Sequence, residues 1–361
     1  MNSIAEFIKN KMKFVGVGQL NMPKDDPPVN ITKILRNPGK ILIIPYNRLG
    51  TILLAARVFK SFRDRFKSAK ITVAVEDTWS ILIKNDPIID EVFTYGREID
   101  NPSSRAFQAL GKRLAAGDFD IAFFLSYQFD TGMAYLTRLS CADLRISFKT
   151  NNDNPFFNVE IVPASGTRYE IERYLEMLRT LGIEGKIRDY TVVVNDSIIE
   201  TTRRRFLPGT TKQQLAGFDL TREIAGESIS RKTAESVIKT LVQDLKSTVV
   251  VFYEPGKKTI AAALKETFGK QIILVEDRPI STIAGMLSQC SFVVSHNTDL
   301  FQLTVTLKIP TLCIMKKDEI IQWSPGENEN IMHLQRSSGS WPSSQAIVDS
   351  ATKLLKMTNR S

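Results

Sequence analysis

From Lys40 onward, short continuous apolar runs alternate with segments whose apolar residues recur every three or four positions. "KILIIPY", "KITVAVED", "EVFTY", "DIAFFLS" and "LRISF" have the pattern of strands buried on both faces. Between them, "TILLAARVFKSFRDRF", "TWSILIKN", "SSRAFQALGKRLAAG" and "DTGMAYLTRLSC" read as helices, and "GTRYEIERYLEMLRTLGI" is a longer one stopped at Gly182. A less regular stretch comes next, with "RRRFLPGTTK" as a linker, and then the alternation resumes. Strands "QQLAGFDL", "TVVVFYE", "QIILV", "FVVSH" and "TLCIM" are separated by helices "SRKTAESVIKTLVQDL", "KKTIAAALKETFG", "ISTIAGMLSQC" and "LFQLTVTLK". The pattern predicts an α/β protein of two tandem doubly wound, Rossmann-like domains facing a central cleft, with ligands at the carboxyl ends of the strands. The expected divisions are an extension over 1–39, domains over 40–207 and 208–335, and a helical tail over 336–361.

The extension differs in kind. Ile4, Phe7, Ile8, Met12 and Val15 fall on one helical stripe, and "MPKDDPPVN" is a proline-rich connector. Basic side chains outnumber acidic ones there, which suits either an anionic bilayer surface or docking on the protein's own body. Composition fits a folded chain: of 361 residues, 43% are hydrophobic and 24% charged. No apolar run approaches the ~20 residues of a spanning helix. The first residues also lack a signal-peptide pattern, so a cytoplasmic protein is expected, peripheral on the inner face of the membrane if the extension binds there. Cys141, Cys290 and Cys313 cannot all pair and read as reduced core residues. With two histidines and no HExxH or CxxC, no metal site is expected. The net charge of +9 suits a polyanionic partner or simply a soluble surface, and no nucleic-acid motif is present.

The stretch "KILIIPYNRLGTILLAARVF" is a strand-to-helix turn of the kind that faces a ligand. From this turn onward the sequence resembles glycosyltransferase family 9, the ADP-heptose:lipopolysaccharide heptosyltransferases and their relatives of GT-B fold. "NDPIIDEVFTY" resembles the family's "NPYVDEV" segment, and "GDFDIAFFL" its "FDLAIDL" strand. "LRISF" is similar to "RIGF", and "RYEIERYLEMLRTLGI" to "HAVERYLALLEALGI". "CSFVVSHNTDLFQLTVTLKIPTLCI" matches "LFVGNDTGPMHLAAALGVPTVAL" in length and pattern. The resemblance covers roughly residues 40–335.

It implies inverting, metal-independent transfer of a heptose-like sugar from a nucleotide diphosphate to a hydroxyl of a lipid-linked saccharide. No cofactor is implied beyond the nucleotide-sugar substrate, with an ADP-sugar favoured. The implied partners are this donor and a lipopolysaccharide or other surface-glycan acceptor; an anionic membrane surface is one reading of the basic extension, not part of the resemblance. Such chemistry needs a base for the acceptor hydroxyl and positive charge for the leaving diphosphate. The family's proposed base falls on Thr51, whose hydroxyl has no useful basicity; Glu76, Asp77 and Asp130, at strand ends, are the candidate replacements. Arg231, with Lys232 beside it, falls on the family's phosphate-binding lysine. The Asp-Thr-Gly motif becomes Asn297-Thr298-Asp299 and its next histidine Gln302, while Lys257 and Ile280 fall near the donor's ribose and base. Each also has a bland reading, as a solvated charge or a helix cap.

Three functions are compatible with these residues. The first is an active glycosyltransferase with a replacement base. The second is a non-catalytic relative acting as a binding scaffold, suggested by the joint changes at Thr51, Asp299 and Gln302. The third, a nucleotide-sugar epimerase, is disfavoured by the scarcity of histidine.

Overall fold

The structure is a computed structural model, and it describes residues 29–101, 103–150, 155–208, 214–221, 229–276, 279–337 and 340–358. The amphipathic helix expected over the first residues lies outside the described residues.

The chain forms two compact units, dividing between Asp189 and Tyr190, with Thr167–Glu170 grouped with the second. In the first, α1 (Ile31–Arg36) precedes β1 (Lys40–Pro45), α2 (Leu49–Ala56), α3 (Phe59–Arg65), β2 (Lys70–Glu76), α4 (Asp77–Ile83), β3 (Glu91–Tyr95) and α5 (Arg105–Ala115). Then come β4 (Ile121–Leu125), α6 (Thr131–Leu139), β5 (Leu144–Phe148), β6 (Val159–Ile161) and α7 (Glu170–Thr180). Its six strands are parallel, in the order β3-β2-β1-β4-β5-β6. Near-continuous apolar runs suit this sheet because helices cover both faces, and Ile41 to Ile44 are fully buried. The expected single helix after β1 breaks into α2 and α3 around Arg57 and Val58.

The second unit repeats the plan with α8 (Asp196–Phe206), β7 (Leu215–Asp219), α9 (Arg231–Gln243), β8 (Thr248–Tyr253), α10 (Lys258–Phe268), β9 (Ile272–Glu276) and α11 (Ile280–Leu287). It continues with β10 (Phe292–His296), α12 (Asp299–Thr306), β11 (Thr311–Met315), α13 (Lys317–Trp323), β12 (Ile331–Gln335) and α14 (Ser344–Thr358). Its sheet order is β12-β11-β10-β7-β8-β9, again parallel. Read from the far edge this is the order of the first sheet, so each unit is one complete doubly wound module.

The division comes earlier than residue 208, and side chains explain it. Arg188 pairs its guanidinium with the buried Asp86 and donates Nε–H to the Ala56 carbonyl at 2.8 Å, while Ser61 bonds both backbone groups of Lys186. These contacts hold the chain on the first unit through 188. The segment read as the start of a linker, "RRRF", instead ends α8, which lies against α11. A Cβ on Gly285 would sit 2.9 Å from the Thr202 hydroxyl, so glycine is what allows this approach. The tail is likewise no appendage: Ile347, Ala351 and Leu354 of α14 lie inside the second core. Cys290 and Cys313 are buried, and burial pushes the Cys290 thiol up to about 12. Cys141 departs from expectation. It sits in the turn before β5 with φ of 54° and is exposed. Among the described residues, no helix is long and apolar enough to cross a membrane.

Candidate functional site

Each sheet reverses its strand order once, between β1 and β4 in the first unit and between β7 and β10 in the second. A crevice opens outside the carboxyl ends at such a reversal. In the first unit it is bounded by Tyr46-Asn47-Arg48 after β1 and by residues 126–130 after β4. Thr51, at the third position of α2, is buried and donates its hydroxyl to the carbonyls of Tyr46 and Arg48, both at 2.8 Å. It therefore staples the turn. Asp130 is the N-cap of α6, its Oδ1 accepting from Met133 N–H at 2.8 Å. Its other oxygen takes no hydrogen bond among the described residues. Glu76, closing the neighbouring β2, accepts from Asn47 Nδ2 at 3.0 Å and from the Thr78 hydroxyl at 3.1 Å.

Tyr95, the last residue of β3, is buried. Burial pushes its phenol well up, and the charges of Glu76 and Asp130 push it further the same way. The ring's hydroxyl itself lies 3.6 Å from Met133 Sδ. Asp77 is exposed in the first turn of α4. The Arg173 guanidinium from α7 lies 4.0 Å over the Tyr127 ring.

In the second unit the crevice is organised by Asp219, the last residue of β7 and fully buried. Its Oδ2 accepts from Ser295 at 2.6 Å and Thr298 at 2.5 Å, and its Oδ1 from the Thr221 hydroxyl and N–H at 2.6 and 3.0 Å. Thr298 caps α12 through Phe301 N–H, 3.2 Å away. Its one hydroxyl hydrogen is spent on Asp219, so this side chain is committed to the fold. Gln302 faces elsewhere, donating to the Trp323 carbonyl at 2.7 Å. Asp299, half-buried, opens α12.

Arg231 and Lys232 open α9 and are exposed. Arg231 Nε holds Glu235 one turn on at 2.7 Å, which leaves the outer edge of its guanidinium for a ligand. Lys257 is buried rather than displayed, and Ile280, also buried, opens α11.

A sequence reading passes over Asn47, Tyr95, Asp219 and Ser295. Their available signal is position alone: each stands in or just after the last residues of a predicted strand. Asn47 and Asn297 share a further feature, because the buried Oδ1 of each has no hydrogen-bond partner. Each stands just past a strand at its own unit's reversal point, and Asn297 is only 2% exposed. Buried amide oxygens are normally paired, so these two stand out as unsatisfied acceptors enclosed by the protein near each unit's reversal point.

No family model and no curated protein matches the chain. Solved structures do. A glycosyl transferase of family 9 from Veillonella parvula is 15% identical, with 89% of this chain and 98% of that one covered at a TM-score of 0.72. The ADP-heptose lps heptosyltransferase II of E. coli is 15% identical, with 89% and 99% covered at 0.73. The E. coli heptosyltransferase WaaC, solved with ADP-2-deoxy-2-fluoro heptose, is 18% identical, with 87% and 99% covered at 0.62. The resemblance read from the sequence therefore holds in the fold: two Rossmann-like modules in tandem, as in the GT-B glycosyltransferases of family 9.

Proposed function

We propose that this protein is a glycosyltransferase that moves a sugar from a nucleotide-diphosphate donor to a hydroxyl of a glycan acceptor. The observation that carries the reading is the exposed pair Arg231 and Lys232 at the N-terminus of α9, the helix that follows β7. A nucleotide diphosphate supplies the negative charge that two basic side chains and a helix N-terminus favour. The fold shared with a family 9 enzyme and two heptosyltransferases supports the same reaction class. It also makes an ADP-linked, heptose-like sugar the first donor to try, with a lipopolysaccharide or similar surface glycan as acceptor.

In this reading Asp130 is the base. Its Oδ1 is fixed by the α6 cap while Oδ2 takes the proton of the acceptor hydroxyl. The acceptor oxygen bonds to the anomeric carbon from the face opposite the diphosphate, inverting that centre. The bond to the diphosphate breaks, and its electron pair leaves with the phosphate oxygen. Arg231 and Lys232 meet the developing charge, with α9's N-terminus behind them. Glu76 and Asn47 hold the acceptor side, and Thr51 shapes the turn without touching the proton. No metal or cofactor is required for these steps, and a resting place on an anionic membrane would bring the enzyme to a lipid-linked acceptor.

Calorimetric titration with ADP, UDP, GDP and their sugar conjugates tests the reading. One nucleotide should bind in the micromolar range, and Arg231→Ala/Lys232→Ala should abolish it. If none binds, the donor site is not alive and the reading fails, leaving a glycan-binding scaffold.

A further inference from the structure

The groups of both crevices lie at the carboxyl ends of the two sheets. The amino-terminal end of the first sheet holds a separate cavity of about 460 Å³. Lys40 and Lys70 are register partners at the starts of β1 and β2, and Thr72 is the partner of Glu91 at the start of β3. Helix α5 covers this sheet face further along through Phe107, Leu110 and Leu114, and it ends at Ala115. Beyond its end the face is open, with Phe93 and Phe119 as apolar walls.

The charged groups around the cavity are loosely engaged. Lys70 Nζ lies 2.6 Å from Glu91 Oε2 with both side chains about half exposed, and such a pair is worth little. Lys40 donates to the Gly117 carbonyl at 2.9 Å, and Asp118, 4.0 Å from it, is almost fully solvated. The Arg113 guanidinium lies 4.8 Å over the Phe93 ring. Three cations and one carboxylate face the cavity, a surplus of two positive charges. That surplus exceeds the partial negative charge at the end of α5 and matches the roughly −1.5 to −2 of a phosphate monoester near neutral pH.

We propose that this cavity binds a small phosphate monoester with a planar apolar body. Lys40, Lys70 and Arg113 meet the phosphate, displacing Glu91 from Lys70, and the body lies against Phe93 and Phe119. The length of β1, about 16 Å, separates the cavity from the Thr51 turn, so the site is independent of the proposed sugar transfer.

Phenyl phosphate titrated into the full chain and monitored by calorimetry tests this. Saturable one-to-one binding is expected, weakened about tenfold or more by Lys70→Gln and by Arg113→Gln, each exposed enough to leave the fold intact. It should persist unchanged in Arg231→Ala/Lys232→Ala, which separates it from any nucleotide site. Absence of saturable binding overturns the proposal, as does binding indifferent to both substitutions. Inorganic phosphate binding as tightly as phenyl phosphate would also overturn it, since the apolar walls would then play no part.

Discussion

Thr298 donates its hydroxyl hydrogen to Asp219 across 2.5 Å, tying the start of α12 to the end of β7. Ser295 adds a second bond to the same oxygen, so one buried carboxylate joins two adjacent strands and a helix cap. Replacing Asp219 by alanine would leave the hydroxyls of Ser295, Thr298 and Thr221 without their acceptor. A loss of about 3 kcal/mol or more is expected in urea unfolding, because unpaired buried polar groups cost roughly 1–3 kcal/mol each. Asp219→Asn keeps an acceptor and should lose less. An alanine variant unfolding at the wild-type midpoint would show that the carboxylate does not organise this end of the sheet.

Thr51 gives a contrasting test. Its hydroxyl is bound to two carbonyls inside the turn, so Thr51→Val should cost about 1 kcal/mol in stability and leave the transfer rate within a few-fold of wild type. Thr51→Asp should not improve the rate, since its carboxylate would face the same two carbonyl oxygens. A hundredfold loss of transfer in the valine variant, with stability preserved, would place the hydroxyl in the chemistry after all.

Those two residues also mark what the sequence makes legible. The strand before Thr51 is readable because burial on both faces demands an unbroken apolar run, and the turn is readable from Asn-Arg-Leu-Gly. What Thr51 does depends on which carbonyls the folded turn aims at it, and no spacing encodes that. Asp219 is invisible for a similar reason. Its partners Ser295 and Thr298 lie over seventy positions away, brought close by the β7–β10 pairing. The boundary near residue 208 is misplaced because Pro208 and the basic run look like a linker, whereas Thr202 and Gly285 make that run the end of a packed helix. Asp130 can be found from the sequence because a cap and a strand-end acid leave the same local signal. Its nearness to Tyr95 cannot, since that rests on β3 and β4 flanking β2 and β1 in the sheet.

Asp130 is expected to carry proton transfer, and Asp130→Asn isolates that role. Asparagine caps helices about as well as aspartate, so the melting temperature should barely move. The transfer rate should fall by about a hundredfold or more, the usual scale for losing a general base. Asp77→Asn, at an exposed position, should leave the rate unchanged. Should Asp130→Asn retain wild-type turnover while Glu76→Gln abolishes it, the base is Glu76, held by Asn47.

His333 makes the stability of the second unit depend on pH. Its Nε2 lies 2.6 Å from the Ser324 hydroxyl, and burial lowers its pKa below the ordinary 6.5, with Glu327 acting in the opposite sense. In the unfolded chain the imidazole takes up its proton near 6.5, while the folded chain resists it until a lower pH. Above 6.5 both states are neutral and the folded state has its full stability. As pH falls from 6.5 through the folded value, the unfolded state binds more protons and stability is lost. Urea unfolding midpoints measured from pH 8 to 5 should therefore be flat at first and then decline. His333→Gln, which cannot titrate, should decline less over the same interval. Equal slopes for the two proteins would assign the decline to other groups and remove His333 from the account.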